Sequence, residues 1–259
     1  MKKIVSMLML CTGLVSCTTN PNGSKLENTD TALEYYNRSM FNFNYHVQKK
    51  VFNPVARGYK NVTTQSVRDR VTQFFDNLEE PVYAVNNLLQ GSLKNTGISV
   101  GRFALNSTLG LAGMFDVAKG FGLERQKNSF DATLARYCVP DGPYFVLPFV
   151  GPATPRYIVG WGADSFASPM YWALIDVEDQ HVDYAVYGAV GVKYLNYYAE
   201  NMYVLDALEE GSVDFYETIR STFLQNRQKF ESLCAAVQDQ ETAPSYDFDF
   251  DDMSNEDED

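Results

Sequence analysis

Histidine is almost missing from this 259-residue chain, which has two, His46 and His181. Cysteine is also scarce, at four, with no C-x-x-C pair and no Cys/His spacing of the zinc-ligand kind. No zinc site is therefore expected. No basic patch stands out, and 21 Lys and Arg face 33 Asp and Glu, for a formal charge of −12. That argues against a nucleic-acid partner, and against attraction to anionic lipid as the means of membrane binding. No Lys-Ser/Thr pair follows a glycine loop, so a phosphate cradle is absent. There is no internal repeat and no alternating strand pattern of any length. No apolar run reaches the roughly 20 residues that a membrane-crossing helix needs. The nearest, Tyr157–Val177, is interrupted by Gly160, Gly162 and Pro169.

What is abundant is aromatic surface: 17 Tyr and 17 Phe against 2 Trp. Tyr suits a core and also a membrane interface, because an apolar ring carries a polar tip. The N-terminus is the most specific local signal. Lys2-Lys3 precede an apolar segment, Ile4–Val15, and then Leu14-Val15-Ser16-Cys17. This is the order of a secretory signal ending in a lipobox, with cleavage before Cys17 and acylation of Cys17. Several acyl chains, at about 0.8 kcal/mol per buried CH₂, would anchor the protein without other membrane contact. Thr18 stands where Asp would signal retention at the inner membrane, which points to the outer membrane. The expected organisation is a signal peptide over 1–16, a lipidated Cys17 with a polar tether over 17–30, a helical domain over 31–240 and an acidic tail over 241–259. That tail holds eight acids and no base between Asp247 and Asp259 and is read as disordered.

Cys11 leaves with the signal, and Cys138 and Cys234 remain in an oxidising compartment. Two buried free thiols are the plainer expectation, with a disulfide as the alternative. In the body, apolar residues recur at helical steps. Thr31–Phe52 carries one stripe through Leu33, Tyr36, Met40, Phe43, Val47 and Val51, and a second through Phe41, Tyr45 and Phe52. Two stripes imply two partners, and lipid is one candidate. Ser66–Glu80 reads as a helix capped by Ser66, and Pro81 starts a further helix that Gly91 ends. Residues 92–122 look helical despite six glycines. Asp183–Leu208 is a helix with a Tyr-rich face, and Asp214–Ala236 is the last. The stretch "GPYFVLPFVGP" (142–152) fits neither helix nor central strand, because Pro148 sits in its middle.

One catalytic pattern matches. Gly97-Ile98-Ser99-Val100-Gly101 has the G-x-S-x-G form of a lipase nucleophile elbow, with His181 and Asp164, Asp176 or Asp179 as the remaining triad candidates. The elbow needs a preceding strand, and "LLQGSLKNT" upstream shows none. Close glycine packing around Ser99 is the preferred account.

Read together, "EYYNRSMFNFNYHV" (34–47), "FFDNLEEPVYAVNNLLQG" (74–91), "RFALNSTLGLAGMFDVA" (102–118), "GPYFVLPFVGPATPR" (142–156) and "LDALEEGSVDFYETIRSTFLQNR" (205–227) resemble the VacJ/MlaA family of outer-membrane lipoproteins. The sequence departs from the family at Asp131 and Cys138, where glycines are expected, and at Pro155 and Tyr157. The resemblance implies an all-α fold: a ring-like arrangement of amphipathic helices lying in the membrane plane, with an apolar hairpin loop. It implies a passive channel rather than an enzyme, with no cofactor and no metal. Phospholipids strayed into the outer leaflet would pass through it to a periplasmic lipid-carrier protein, beside a trimeric outer-membrane porin. It places Asn42, Phe43, Asn44 and Tyr45, and Tyr144, Phe145, Leu147, Pro148 and Phe149 of the hairpin, near the lipid path. The competing readings are a lipoprotein phospholipase using Ser99 and a porin-bound scaffold without transport.

Overall fold

The first amphipathic segment becomes part of a longer rod in the computed structural model, which describes residues 26–175 and 180–242. Cys17, the signal segment, the acidic tail, Asp176 and Asp179 lie outside the described residues. Helix α1 (Leu26–Val47) begins ahead of Thr31 and passes through a π-turn (Gln48–Phe52) into α2 (Asn53–Val62). Proline at position 54 explains the turn. Its ring would clash with the carbonyl four residues back, and it has no N–H to give. Widening to a five-residue bond, Asn53 N–H to Gln48 O, lets the chain continue past it.

Pro81 is likewise absorbed rather than obeyed. In place of two helices there is one, α3 (Gln65–Leu89), capped by Thr64 rather than Ser66; the Thr64 side chain accepts from Val67 N–H at 3.4 Å. Glu80, next to the proline, is wholly buried and held by Arg102 and Arg125. These tertiary bonds fix the axis on both sides of the missing helical bond. Gly91, at φ +76°, then ends α3 as expected, with Ser92 N–H closing on Asn87 O at 2.9 Å. The turn returns the chain as α4 (Leu93–Thr108), which packs along α3. The loop after α4 touches α3 at Gly113: φ is +93°, and a Cβ there would meet Asn77 Nδ2 at 2.6 Å.

Short helices α5 (Val117–Gly120) and α6 (Phe130–Arg136) follow, capped by the side chains of Asp116 and Ser129. The apolar stretch then forms an antiparallel hairpin, β1 (Phe145–Leu147) with β2 (Gly151–Ala153), in the register Phe145↔Ala153 and Leu147↔Gly151. Its three-residue turn places Pro148 outside both strands and Phe149 in the left-handed region at φ +63°. Helices α7 (Pro155–Ala167), α8 (Pro169–Ile175), α9 (Gln180–Glu210) and α10 (Phe215–Thr242) complete the all-α fold with its hairpin. Cys138 and Cys234 are joined, not free: a disulfide with Cα atoms 5.0 Å apart ties the turn after α6 to α10. Cys138 has φ +59°, a conformation natural to the glycine expected at that position.

Polarity is inverted relative to a water-soluble helical protein. Among the described residues the largest fully buried side chains are Arg102, Glu80, Val146, Asn77, Asn86 and Asn106, five of the six polar or charged. Both tryptophans, Trp161 and Trp172, are about half exposed, and so are Tyr184, Tyr187 and Tyr194 of the Tyr-rich α9 face. The first stripe of the Thr31–Phe52 segment is divided: Tyr36, Phe43 and, in the π-turn, Val51 are exposed, while Met40 packs on the cluster of Tyr144, Val146 and Tyr216 and Asn37 is buried beside it. The second stripe does pack, with Phe41 edge-on to Phe215 and Tyr216 of α10. No helix of the described residues is long and apolar enough to cross a membrane.

Candidate functional site

Two buried ion clusters build the frame. Glu80 of α3 accepts from Arg102 Nε of α4 at 2.7 Å and from Arg125 Nε at 3.0 Å. Arg102 continues to Asp116 at 3.0 Å, and Arg125 to Asp76. Asp116 sits below the usual carboxylate range: burial pushes it up, but the bonds from Arg102 and Asn106 outweigh that. In the second cluster Asp131 of α6 receives Arg156 Nε of α7 at 3.0 Å and Arg227 of α10, and Arg227 Nε donates to Asp141 at 2.8 Å. Asp141 is held low as well, burial again being outweighed by Arg227 and Thr154. Gly160 makes room for this junction, since a Cβ there would lie 2.6 Å from the Asp131 backbone nitrogen. Each charge is paired, the condition under which ions tolerate burial.

This frame leaves a cleft between α3, α7 and α9. Three helical stripes line it. Thr72, Asp76, Glu79 and Tyr83 come from α3, Trp161, Asp164 and Ser165 from α7, and Val190, Lys193, Tyr194 and Tyr197 from α9, all at three- and four-residue steps. The cleft has two lobes, of about 600 and 380 Å³, within the range of roughly 300–1,000 Å³ typical of ligand sites. They meet at four shared residues: Glu79, Trp161, Lys193 and Tyr194. Carboxylates, amides and lysines mix there with Trp, Tyr, Val and Met, so the walls are amphipathic. Lys193 Nζ donates to Glu79 Oε1 at 2.6 Å across the cleft, and Tyr83 O–H donates to Glu79 Oε2 at 2.5 Å. Burial pushes the Glu79 carboxyl up, but Lys193 and Tyr83 hold it below the usual range. Burial, then Glu79, raises Tyr83. Asp164 is raised by burial although Phe130 N–H and Asn86 Nδ2 bond to it.

The residues that the sequence assigns to the lipid path gather elsewhere, where α1 meets the hairpin. Asn44 Nδ2 donates to Leu147 O at 2.8 Å, and its Oδ1 accepts from Phe149 N–H at 2.7 Å. Asn37, two turns earlier, repeats the clamp on Tyr144 O at 3.3 Å and Val146 N–H at 2.9 Å. Phe43 meets Phe149 edge-on at 5.2 Å. Tyr45 donates to Glu209 of α9 at 2.6 Å, while Asn42 is exposed and its carbonyl faces His46. Asn44, Tyr45 and Phe149 share a mostly apolar pocket of about 260 Å³ with Phe52, Tyr198 and Phe215. Tyr144 is buried, Phe145 and Leu147 are half-buried, and Pro148 and Phe149 are exposed at the tip. None of these nine residues lines the α3–α7–α9 cleft. Sequence reading missed Asn37 and the Glu79–Lys193 bridge. The seven-residue spacing of Asn37 and Asn44 was the available signal for the first.

Ser99 has no elbow. It lies inside α4, wholly buried, with α3 and a tight turn before it rather than a strand. Among the described residues no group of His, Cys, Asp and Glu is placed to hold a metal ion.

A family model described as "MlaA lipoprotein" matches residues 29–230. An intermembrane phospholipid transport system lipoprotein MlaA of Haemophilus influenzae is 30% identical over 231 residues, covering 88% of this chain and 89% of that one. Its namesake in Escherichia coli is 37% identical over 177 residues, 66% of this chain and 70% of that one. An uncharacterized protein of Rickettsia felis is 36% identical over 219 residues, 81% and 82% of the two chains. A structure solved in work on the structural basis for maintenance of bacterial outer membrane lipid asymmetry superposes with a TM-score of 0.62 and 29% identity, over 78% of this chain and 98% of that one.

Proposed function

The chain belongs to the MlaA lipoprotein family, and from that premise we propose that it is the outer-membrane component of a retrograde phospholipid transport system. Anchored through Cys17 in the periplasmic leaflet, its helices lie ring-like in the membrane plane. They offer strayed outer-leaflet phospholipids a passive amphipathic path to a periplasmic lipid-carrier protein, beside a trimeric porin. The observation that carries this reading is the inverted polarity: an amphipathic cleft framed by buried ion pairs, in a body whose aromatic faces point outward.

The physics is consistent. A phospholipid has a charged head and apolar tails, so its path needs walls of both kinds. Exposed Phe, Trp and Tyr cost little where the surroundings are lipid, and buried Arg–carboxylate pairs tie the helices together beside two small apolar clusters. Helices too short and too broken to span can still lie at the interface. The apolar hairpin tip, Pro148-Phe149-Val150, is exposed and would touch the same lipid. Moving a lipid along such a path requires no nucleophile.

Deletion of the gene tests the reading. Cells without the protein should expose phospholipid at their surface and become sensitive to detergent with EDTA, and a plasmid copy should reverse both. Unchanged surface lipid in the deletion strain contradicts it.

A further inference from the structure

Glu79 and Lys193 stand out because both line both lobes of the cleft. One belongs to α3 and the other to α9, so their 2.6 Å bond crosses from wall to wall. They are two of the four residues that do so, and the bond separates the 600 Å³ lobe from the 380 Å³ one. Each side chain keeps about a third of its exposure (32% and 32%), unlike the sealed Glu80–Arg102 pair. A pair this wet contributes little net stability and can be exchanged. Tyr83, on the other Glu79 oxygen, would keep the carboxylate in place when Lys193 leaves it.

We propose that the Glu79–Lys193 bridge is the gate of the lipid path, opened by exchange with a zwitterionic phospholipid headgroup whose phosphate takes Lys193 and whose ammonium takes Glu79. This rests on the path running through the α3–α7–α9 cleft. The exchange turns one ion pair into two and leaves no charge unpaired. A net-anionic lipid with a hydroxyl headgroup satisfies Lys193 but leaves Glu79 facing a phosphate without a cation. Two of the other acids on the larger lobe already have cations: Asp76 is paired with Arg125 and Glu200 with Arg68. Because the bridge is part-exposed, leaving Glu79 without a cation costs about 1 kcal/mol at most, roughly a fivefold difference in rate.

The test uses the full-length lipidated protein in donor vesicles that carry labelled phosphatidylethanolamine or labelled phosphatidylglycerol, with transfer to acceptor vesicles as the readout. The wild type should move the zwitterionic lipid up to about fivefold faster. Glu79→Gln should bring the ratio close to one, whereas Lys193→Met, which leaves the discriminating carboxylate in place, should keep the zwitterionic lipid ahead. The exchange Glu79→Lys with Lys193→Glu rebuilds the bridge in reverse and should restore the preference, which keeps the test decidable if a single variant folds poorly. Equal rates for the two lipids in the wild type, or a wild-type ratio in Glu79→Gln, overturns the gate while leaving the path intact. A wild type that moves neither lipid overturns the path and the gate with it.

Discussion

Glu80 and Arg102 bear most of the consequence of an interior made of charges. Both are essentially without exposure, and their 2.7 Å bond joins α3 to α4. Removing one partner opens a gap in a buried ion network that Asp116, Arg125 and Asp76 continue, so Glu80→Ala or Arg102→Ala should each lose about 3–5 kcal/mol in denaturant titration of the detergent-solubilised protein. Replacing both with apolar residues of similar size should cost clearly less. Losses under about 1 kcal/mol for the single variants would mean that the pair is solvated. The same chemistry sets a pH dependence. Asp116, Asp141 and Glu79 are held below the usual carboxylate range by Arg102, Arg227 and Lys193 against the pull of burial. Their contribution is complete above about pH 4, the ordinary carboxylate value, and is lost as pH falls through their lower folded values. Asp164, raised by burial, works the other way: its contribution fades as pH rises through its folded value. Glu200, Glu209 and Asp214 are also held low by their cations. With six carboxylates against one, melting temperature should fall on acidification from about pH 5 to pH 3; a flat or rising profile contradicts the assignment. These partners were only half legible in the sequence. In the sequence Glu79 and Glu80 are only two adjacent acids ahead of Pro81. What separates their roles is that neighbours on a helix point about 100° apart. Glu80 therefore enters the core and Glu79 the cleft.

At the scale of elements the prolines are instructive. Pro81 reads as the start of a new helix, and Pro54 lies just past the expected helix end at Phe52; the chain continues through both, by a π-turn in one case and by tertiary ion pairs beside Glu80 in the other. Local preference is a weak prior when packing on both sides fixes the axis. Pro148 was read correctly as no part of a central strand, because nothing tertiary competes at an exposed turn. The hairpin it helps to form has a buried edge and an apolar exposed tip, which separates folding from function. Val146→Asp, at a position with no exposure, should unfold the protein. Phe149→Asn should leave the melting temperature nearly unchanged, because the ring is mostly exposed and Asn tolerates the left-handed φ of +63°. It should nevertheless slow lipid transfer; unchanged transfer would remove the tip from the lipid path. The disulfide was legible only as one of two options, since pairing depends on α10 returning to the turn after α6. Cys138 and Cys234 lie 96 residues apart, so Cys234→Ser should cost about 2–5 kcal/mol in denaturant under oxidising conditions. The same loss should appear in the wild type on reduction, and equal midpoints with and without reductant would contradict the bond.

For the molecule as a whole, the family and the all-α class were legible because long stretches of sequence matched in order, and helical periodicity supported them. The direction of the faces was not legible. Periodicity reports that a stripe is apolar, not whether core or lipid covers it, so it could not tell that Tyr36, Phe43 and Val51 are exposed while Phe41 packs on α10. The proposed lipid path therefore has two candidate regions: the hairpin that the resemblance indicated, and the α3–α7–α9 cleft that only three-dimensional structure assembles. The central claim is that this body conducts phospholipid passively. The most direct measurement reconstitutes the lipidated protein in vesicles whose labelled phospholipid starts in the leaflet opposite the anchor, with no energy source, and follows its arrival at an acceptor on the anchored side. The account predicts transfer well above that of protein-free vesicles, proportional to the protein incorporated. Transfer no faster than the protein-free rate would contradict it and leave a scaffold in place of a channel.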